Sequence, residues 1–304
     1  MKIKELWNKI RKGVKAGMAA ATESNVLTDN RVVSMIEKFK ASGKYKLMQE
    51  GERYYQADND IKNRKITRKV DGHKEEETWR ANNKLAHAKY KIQVDEKIAY
   101  LLTKPVTYKT DGTDKNDTYV EKVKDVLGKH FQYQLTQLGY EASNKGIGWL
   151  HVYLDPEGEL KTIVIPAEQC IPYWSDRSHT ELDAMIRVYN TTVWQYNQEK
   201  EITNVEIWTK DGVKYYRLEG QMLVYDNDKS MDAGGPVAHY KSVEEWKTWG
   251  KVPFIPFKNN QIEMPDVKFV KSLIDGYDLG RSEAANYMDE VKNLIFVLKG
   301  YGGQ

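Results

Sequence analysis

The sequence contains one cysteine, Cys170, among its 304 residues. A single cysteine excludes a disulfide within the chain and any zinc site built from several cysteines. Long apolar runs are also missing. The longest clear run, Leu294 to Leu298, is far shorter than the roughly 18 residues of a membrane-spanning helix. The opening residues 1–21 lack the apolar stretch of about 7–15 residues that marks a secretory signal. These absences favour an intracellular protein without membrane contact.

The common catalytic signatures are missing too. The sequence has no phosphate-binding loop of the G-x-x-x-x-G-K-[ST] type and no G-x-S-x-G nucleophile motif. The pair Gly146 and Gly148 lacks the third glycine of a dinucleotide fingerprint, and it precedes a strand instead of following one. The six histidines form no H-E-x-x-H motif. These motifs therefore indicate no catalytic residue, no cofactor and no metal site.

Charge is distributed unevenly along the chain. Residues 1–100 carry 23 Lys and Arg against 14 Asp and Glu, a net of +9, whereas the whole chain has a net charge of only +3. The densest basic cluster comprises Lys62, Arg64, Lys65, Arg68 and Lys69. Such a cluster is usually a solvated face, but it also permits contact with a polyanion. A nucleic-acid-binding module that uses the basic first 100 residues therefore stays open as an alternative.

The periodicity predicts an α+β fold with a helical first part. Residues 1–29 form a basic amphipathic arm, and a helix begins at Asp29 and ends near Ser42 and Gly43. A second helix covers 79–102, because apolar residues fall on one stripe and Pro105 stops the chain from continuing as a helix. A third begins with Thr118 and Glu121 in capping-box spacing and ends at Gly139.

From about residue 147 to 258 the apolar period changes to two. Six short segments rich in Val, Ile, Tyr and Trp predict strands of a mainly antiparallel sheet, namely WLHVYL, LKTIVI, AMIRVY, NVEIWT, VKYYRL and MLVYD. Turn residues at 155–159 and 210–212 separate neighbouring strands. The polar segment 227–250 predicts a loop with a short helix over 243–249.

A long helix follows from Pro265 to about residue 290. Its apolar residues repeat with 3-4 spacing, which is typical of a helix-packing seam. Gly276 and Gly280 would each cost about 1 kcal/mol relative to alanine, so we expect close approach of a neighbouring helix to offset this cost. Residues 261–290 carry a net charge of -4. A strand that begins at Leu294 finds no partner after it, so we expect the chain to be part of a longer protein.

Four collinear stretches resemble the portal proteins of long-tailed bacteriophages that infect Gram-positive bacteria. They are RYYQADNDIKNRKI (53–66), RANNKLAHAKYKIQVDEKIAYLLTKPVTY (80–108), GIGWLHVYLDPEGELKTIVIPAEQCIPYW (146–174) and the segment 251–303, which begins KVPFIPFKNN and ends IFVLKGYGG. The second and fourth stretches are the most specific. The resemblance covers about residues 50–300.

The resemblance implies a ring-forming subunit, twelve per virion, at one vertex of the capsid. It implies an α+β wing over 30–258, a first stem helix over 259–290 and the start of a clip region over 291–304, after the arm 1–29. Double-stranded DNA would pass through the ring during packaging and ejection. The implied partners are the terminase motor, the major capsid and scaffold proteins and a head-completion or connector protein, first in the host cytoplasm and then in the virion.

On this interpretation, we expect Gly276, Tyr277, Gly280 and Arg281 at the contact between neighbouring subunits. Asp275, Asp278 and Glu283 are candidates to face the channel, because an acidic wall would not hold DNA tightly, or to form ion pairs between subunits. A solvated acidic face explains each carboxylate equally well. An aromatic-lined enzyme that acts on glycans is a further, weaker alternative.

Overall fold

A computed structural model describes residues 27–109, 118–195, 198–229, 235–242 and 245–292. The helices are α1 (Asp29–Ala41), α2 (Gly43–Tyr55), α3 (Lys89–Leu102), α4 (Thr118–Leu127), α5 (Phe131–Lys145) and α6 (Val267–Lys292). The strands are β1 (Thr67–Val70), β2 (His73–Glu76), β3 (Ile147–Leu154), β4 (Leu160–Ile165), β5 (Cys170–Trp174), β6 (Leu182–Gln195), β7 (Gln198–Thr209), β8 (Gly212–Glu219), β9 (Met222–Tyr225), β10 (Tyr240–Ser242), β11 (Glu245–Lys247) and β12 (Phe254–Lys258). The predicted arm helix and the strand from Leu294 lie outside the described residues.

The chain divides into two compact units. The first contains the described residues up to 40 together with 171–237. Its sheet has the order β5-β6-β7-β8-β9, and the pairs from β6 to β9 are antiparallel. Val32 and Ile36 of α1 pack against alternate residues of this sheet, among them Ile186 and Val205. Because side chains alternate across a strand, one face of the sheet supplies the core of this unit.

The second unit contains residues 41–170 and the described residues from 238 on. It holds the antiparallel sheet β12-β3-β4, the hairpins β1-β2 and β10-β11, and helices α2 to α6. Tyr54 of α2, Val94 and Ile98 of α3, and Val267 and Ile274 of α6 form one buried cluster. Helices α2, α3 and α6 therefore share one core, which holds the long helix α6 in place.

The main features predicted from the periodicity are confirmed. The chain combines helices with antiparallel strands and ends its described part in a long helix, as an α+β fold requires. All six predicted strand segments lie in strands β3, β4, β6, β7, β8 and β9. The turn over 155–159 joins β3 to β4, and the turn over 210–212 joins β7 to β8, where Thr209 pairs with Gly212.

Four local predictions are wrong. The helix predicted from residue 79 begins at Lys89, and α2, over Gly43–Tyr55, was not predicted. The predicted helix 118–139 is broken at Gly128, whose φ of 71° places it in the left-handed region. The chain then continues helically through Gly139, where an added Cβ would lie 2.5 Å from Leu102. Gly139 thus serves close packing. Where a short helix was expected, residues 245–247 form strand β11.

The predicted domain over 30–258 is divided between the two units in the structure. None of the described helices is long enough and apolar enough to cross a membrane.

Candidate functional site: the two faces of the long helix

Helix α6 has 26 residues and, at 1.5 Å per residue, a length of about 39 Å. Successive side chains rotate by about 100° around its axis, so residues three or four apart share a face. The buried residues Val267, Ile274, Asp278, Ser282 and Asn286 define an inner face toward the rest of the unit. The opposite side of the helix is exposed, and the two faces differ in chemistry.

At the first half of the inner face, an ion cluster surrounds Lys271. Its ammonium group donates to Asp60 and, at 2.8 Å, to Asp275, and lies 3.6 Å from Glu50. Tyr54 donates a hydrogen bond of 2.5 Å from its hydroxyl to Asp275. These contacts fix α6 to α2 and to the turn that follows α2.

Two pKa values record this environment. Burial raises the pKa of Tyr54 to about 12, and the hydrogen bond to Asp275 adds to the effect. Burial acts to raise the pKa of Asp60 as well, but hydrogen bonds from Lys271 and Arg53 outweigh it and lower the pKa to about 2. Asp60 is therefore held as a carboxylate between two cations.

The second half of the inner face is polar and holds an extended segment, residues 81–87, here called the strap. Its backbone amides donate to three side chains one helical turn apart: Asn83 to Asn286 at 2.6 Å, Leu85 to Ser282 at 3.0 Å and His87 to Asp278 at 3.1 Å. Four helical residues rise about 6.0 Å and two extended residues about 6.6 Å, so the two spacings match. The side chains of α6 thus supply the hydrogen-bond acceptors that a neighbouring strand would supply in a sheet.

Asp278 is the centre of this arrangement and has no exposed surface. Besides the backbone amide of His87, it accepts a hydrogen bond of 2.5 Å from Asn59, and its oxygen lies 2.9 Å from Nδ1 of His87. Because the carboxylate is fully enclosed within the chain, it cannot face a channel. The prediction that placed Asp278 there is wrong.

The exposed side of α6 carries a continuous line of apolar and small residues, here called the outer stripe. It consists of Phe269, Leu273, Gly276, Gly280, Ala284, Tyr287 and Val291. Leu273 is 73% exposed and Tyr287 70% exposed. A surface helix normally turns charged residues to the solvent, yet this stripe contains none. An uncovered apolar stripe of this length is typical of an interaction surface.

Neither glycine of the outer stripe is needed for packing within the chain. A Cβ added at Gly276 or at Gly280 would meet no atom within 4 Å. Each glycine nevertheless costs a helix about 1 kcal/mol relative to alanine. Nothing among the described residues offsets that cost.

The other predicted interface residues flank the stripe. Tyr277 is 42% exposed, its ring packs edge-on against His87, and Lys89 lies over it. Arg281 is exposed and has no hydrogen bond or ion pair with any described residue. Among the channel candidates, Asp275 belongs to the Lys271 cluster, and the half-exposed Glu283 is paired with Arg64. The structure thus groups the four predicted interface residues on one helix.

The basic cluster is largely neutralised. Lys62 lies 3.6 Å from Asp58, Lys65 lies 3.0 Å from Glu76, and Arg68 lies 3.9 Å from Glu75; Arg64 has Glu283 as its partner. Lys69 is exposed on β1, opposite Lys74 of β2. Four of the five cations therefore already have a carboxylate nearby, which leaves little free positive charge for a polyanion.

Ser282, Asn286 and the strap are functional features that the sequence interpretation missed. The available signal was a polar residue at each of three positions four apart, 278, 282 and 286, which continue the line of the apolar Val267 and Ile274. The ANN triplet at 81–83 was noted in the motif that carries the resemblance, but it was assigned to a helix.

These features occur in a chain that matches a family of phage portal proteins. The family is described as "Phage portal protein, SPP1 Gp6-like" and matches residues 40–304, so the chain belongs to it. Among the relatives, the "Portal protein" of Bacillus phage SPP1 is 32% identical over 273 residues, which are 89% of this chain and 52% of the relative. The "Portal protein" of Clostridium phage phiCD119 is 31% identical over 261 residues, 83% of this chain and 54% of the relative. The chain spans about half the length of each.

Proposed function

We propose that this chain is a subunit of a portal ring at one capsid vertex and that the ring is a conduit for double-stranded DNA during packaging and ejection. Membership of the portal family supports this function. The observation that carries it is the outer stripe of α6, an uncharged line of apolar and small residues that no described part of the chain covers. A second protein surface would remove that stripe from water, as assembly requires.

Closed rotational symmetry requires only one contact surface on this helix. In a cyclic ring every contact is heterologous, so each subunit offers two different surfaces, one to each neighbour. The outer stripe is one such surface, and Gly276 and Gly280 permit the closest approach in its middle. The number twelve is taken from the resemblance to the family.

The channel wall would be less acidic than the net charge of residues 261–290 suggests. Residues 261–290 have a net charge of -4, but Asp278 is buried, and Asp275 and Glu283 are paired with Lys271 and Arg64. A wall with little free positive charge would not bind phosphates tightly, because tight binding needs cations that release condensed counterions. Asp275 and Glu283 stay predictions for channel-facing residues.

In this proposal the chain performs no catalysis and needs no cofactor. Residues 30–258 form the wing, 259–290 the first stem helix and 291–304 the start of the clip. The packaging force comes from a separate terminase motor. Further contacts are to the major capsid and scaffold proteins and to a head-completion or connector protein, during assembly in the host cytoplasm and then in the virion.

The mass of the purified chain in solution tests the proposal. We expect light scattering on a size-exclusion column to give a closed assembly near twelve copies of the 35.3 kDa chain, and negative-stain images of the same peak to show rings. A monomer at all concentrations would contradict the proposal that the outer stripe suffices for assembly.

The nucleic-acid-binding alternative has one observation in its favour, the net charge of +9 over residues 1–100. Deleting 259–304 is not a clean test, because Val267 and Ile274 belong to the core. Replacing Lys65 and Arg68 by Gln is cleaner, since both are exposed. A DNA-binding module would then show a salt slope shallower by about 0.9 per lost phosphate contact. For a portal subunit, we expect weak duplex binding that the substitutions leave unchanged.

A further inference from the structure

We propose that the outer stripe of α6 packs against the exposed face of α3 in a second copy of the chain, with Glu96 of one copy paired to Arg281 of the other. The inference rests on the proposed function, because it names the surface that meets the stripe in the ring. Neither the family match nor the relatives' names assign a partner surface to α3.

Helix α3 has an exposed face that complements the stripe. Tyr90, Val94 and Ile98 point into the core of the unit. On the opposite side, a line with 4-3-4 spacing is exposed along the whole helix: Ile92, Glu96, Ala99 and Thr103, flanked by Tyr100. Ile92 is 49% exposed and Tyr100 is 88% exposed. This face is mostly apolar and, like the outer stripe, is covered by no described residue.

The charges on the two faces are complementary and unused. Glu96 has no hydrogen bond or ion pair with any described residue, and the same is true of Arg281. By contrast, their charged neighbours are occupied: Asp95 binds Lys91, Lys97 binds Asp266, and Glu283 binds Arg64. An isolated charge is costly to bury, whereas a close pair at an interface is favourable. If the two faces are buried against each other, Glu96 and Arg281 can form an ion pair.

The sizes of the side chains fit in an antiparallel arrangement. If Glu96 lies level with Gly280 and beside Arg281, Thr103 lies level with Leu273, and Ala99 lies within about 1.5 Å of the level of Gly276. Tyr100 then lies level with Gly276, one helical turn, about 6 Å, from the level of Gly280. The most exposed aromatic ring of α3 thus enters the part of the stripe that has no side chains.

The two faces also satisfy the rule for ring contacts. They lie on different helices, and both point away from the core that α3 and α6 share. A copy that uses its outer stripe toward one neighbour keeps its α3 face free for the other. This is the heterologous pattern that closes into a ring.

Charge reversal tests the pairing. We expect Glu96→Arg and Arg281→Glu each to raise the concentration at which half of the chain is assembled by at least about tenfold, since interface charge pairs couple strongly. The double variant should restore assembly to within about threefold of the parent, because the pair is rebuilt in reverse. Lys268→Glu is the matched control. Lys268 is also exposed, unpaired among the described residues and on α6, but off the stripe, so its reversal should leave assembly unchanged.

A covalent cross-link gives an independent test of the geometry. Ala99→Cys combined with Gly276→Cys should join neighbouring copies on mild oxidation, because a disulfide needs Cα atoms within about 7 Å. The native Cys170 is buried and should not interfere. If the parent assembles but the reversed pair gives no rescue and the cysteines give no linked species, the inference is overturned while the proposed function stands. A parent chain that never assembles overturns both.

Discussion

The inner and outer faces of α6 reverse the usual pattern of a surface helix. The inner face, buried in the unit, becomes polar over its second half, where Asp278, Ser282 and Asn286 accept the amides of the strap. The outer face, exposed in the single chain, is apolar and includes two glycines that touch nothing. The inner face is matched to its partner, because an extended backbone needs acceptors. The outer face suits the partner proposed above, since a helix surface of another subunit would need apolar and small side chains.

Asp278→Ala should disrupt the contacts of the inner face and cause the largest loss in the free energy of unfolding. The substitution leaves buried donors on Asn59 and His87 without an acceptor, which costs about 3 kcal/mol or more of the free energy of unfolding. Urea unfolding measures the loss. Asp289→Ala is the control, because that exposed carboxylate also bonds the strap, through Asn83, and should cost less than about 1 kcal/mol. Equal effects of the two variants would contradict the proposed role of Asp278.

Gly276→Leu should instead disrupt assembly through the outer face. In the single chain, the new side chain meets no atom within 4 Å, so we expect the free energy of unfolding to stay the same or to rise by up to about 1 kcal/mol. Assembly should be lost, because the side chain fills the close approach in the middle of the stripe. Gly276→Ala separates helix propensity from bulk: it brings the same propensity gain with only one methyl group. Normal rings from the leucine variant would remove our explanation for the glycine.

Ser282→Ala should remove one hydrogen bond of the inner face and lower the free energy of unfolding by less than Asp278→Ala. The amide of Leu85 loses its acceptor, at a cost of about 1–2 kcal/mol, whereas Asn83 and His87 keep theirs. Hydrogen exchange resolved by residue should therefore show faster exchange at Leu85 than at the other two amides. Uniform loss of protection along the strap would show that the three bonds form and break as a unit.

The long helix could be predicted from the sequence, but the division of its residues between an inner and an outer face could not: the apolar spacing includes Val267 and Ile274, which are buried in the core. The cost of Gly276 and Gly280 depends only on the geometry of one helix, so the sequence alone indicates it. The acceptor role of Ser282 depends on a strap almost 200 positions earlier in the chain. No local pattern in the sequence indicates that an extended segment will lie there.

The same limit explains why the start of α3 was misplaced. Leu85 and Ala88 lie in helical register with Ile92, so the periodicity predicts a helix that begins before Lys89. In the structure, the backbone amides of Leu85 and His87 donate hydrogen bonds to side chains of α6. Only an extended backbone places these two amides one helical turn apart. A tertiary contact therefore overrides the local preference, as it commonly does where propensity is weak.

The smallest predicted effect concerns pH and the ion cluster in the first half of the inner face. Hydrogen bonds from Lys271 and Arg53 lower the pKa of Asp60 to about 2, below the value of about 3.9 in an unfolded chain. The carboxylate therefore contributes stability above about pH 4, and this contribution is lost as the pH falls toward 2. Because Asp60 is nearly half exposed, solvent screening keeps the contribution below about 1 kcal/mol.

Asp60→Asn should remove this contribution. We expect the variant to be slightly less stable than the parent at pH 7 and equal to it near pH 2, so that urea midpoints for the two chains converge between pH 4 and pH 2. Lys271→Met should also flatten the pH dependence of the parent, since it removes one of the two cations that hold the carboxylate ionised. A constant difference between parent and Asp60→Asn across the whole range would mean that the ion cluster does not set the acid sensitivity of α6. The difference at pH 7 should shrink in 1 M salt, where the screening length falls to about 3 Å.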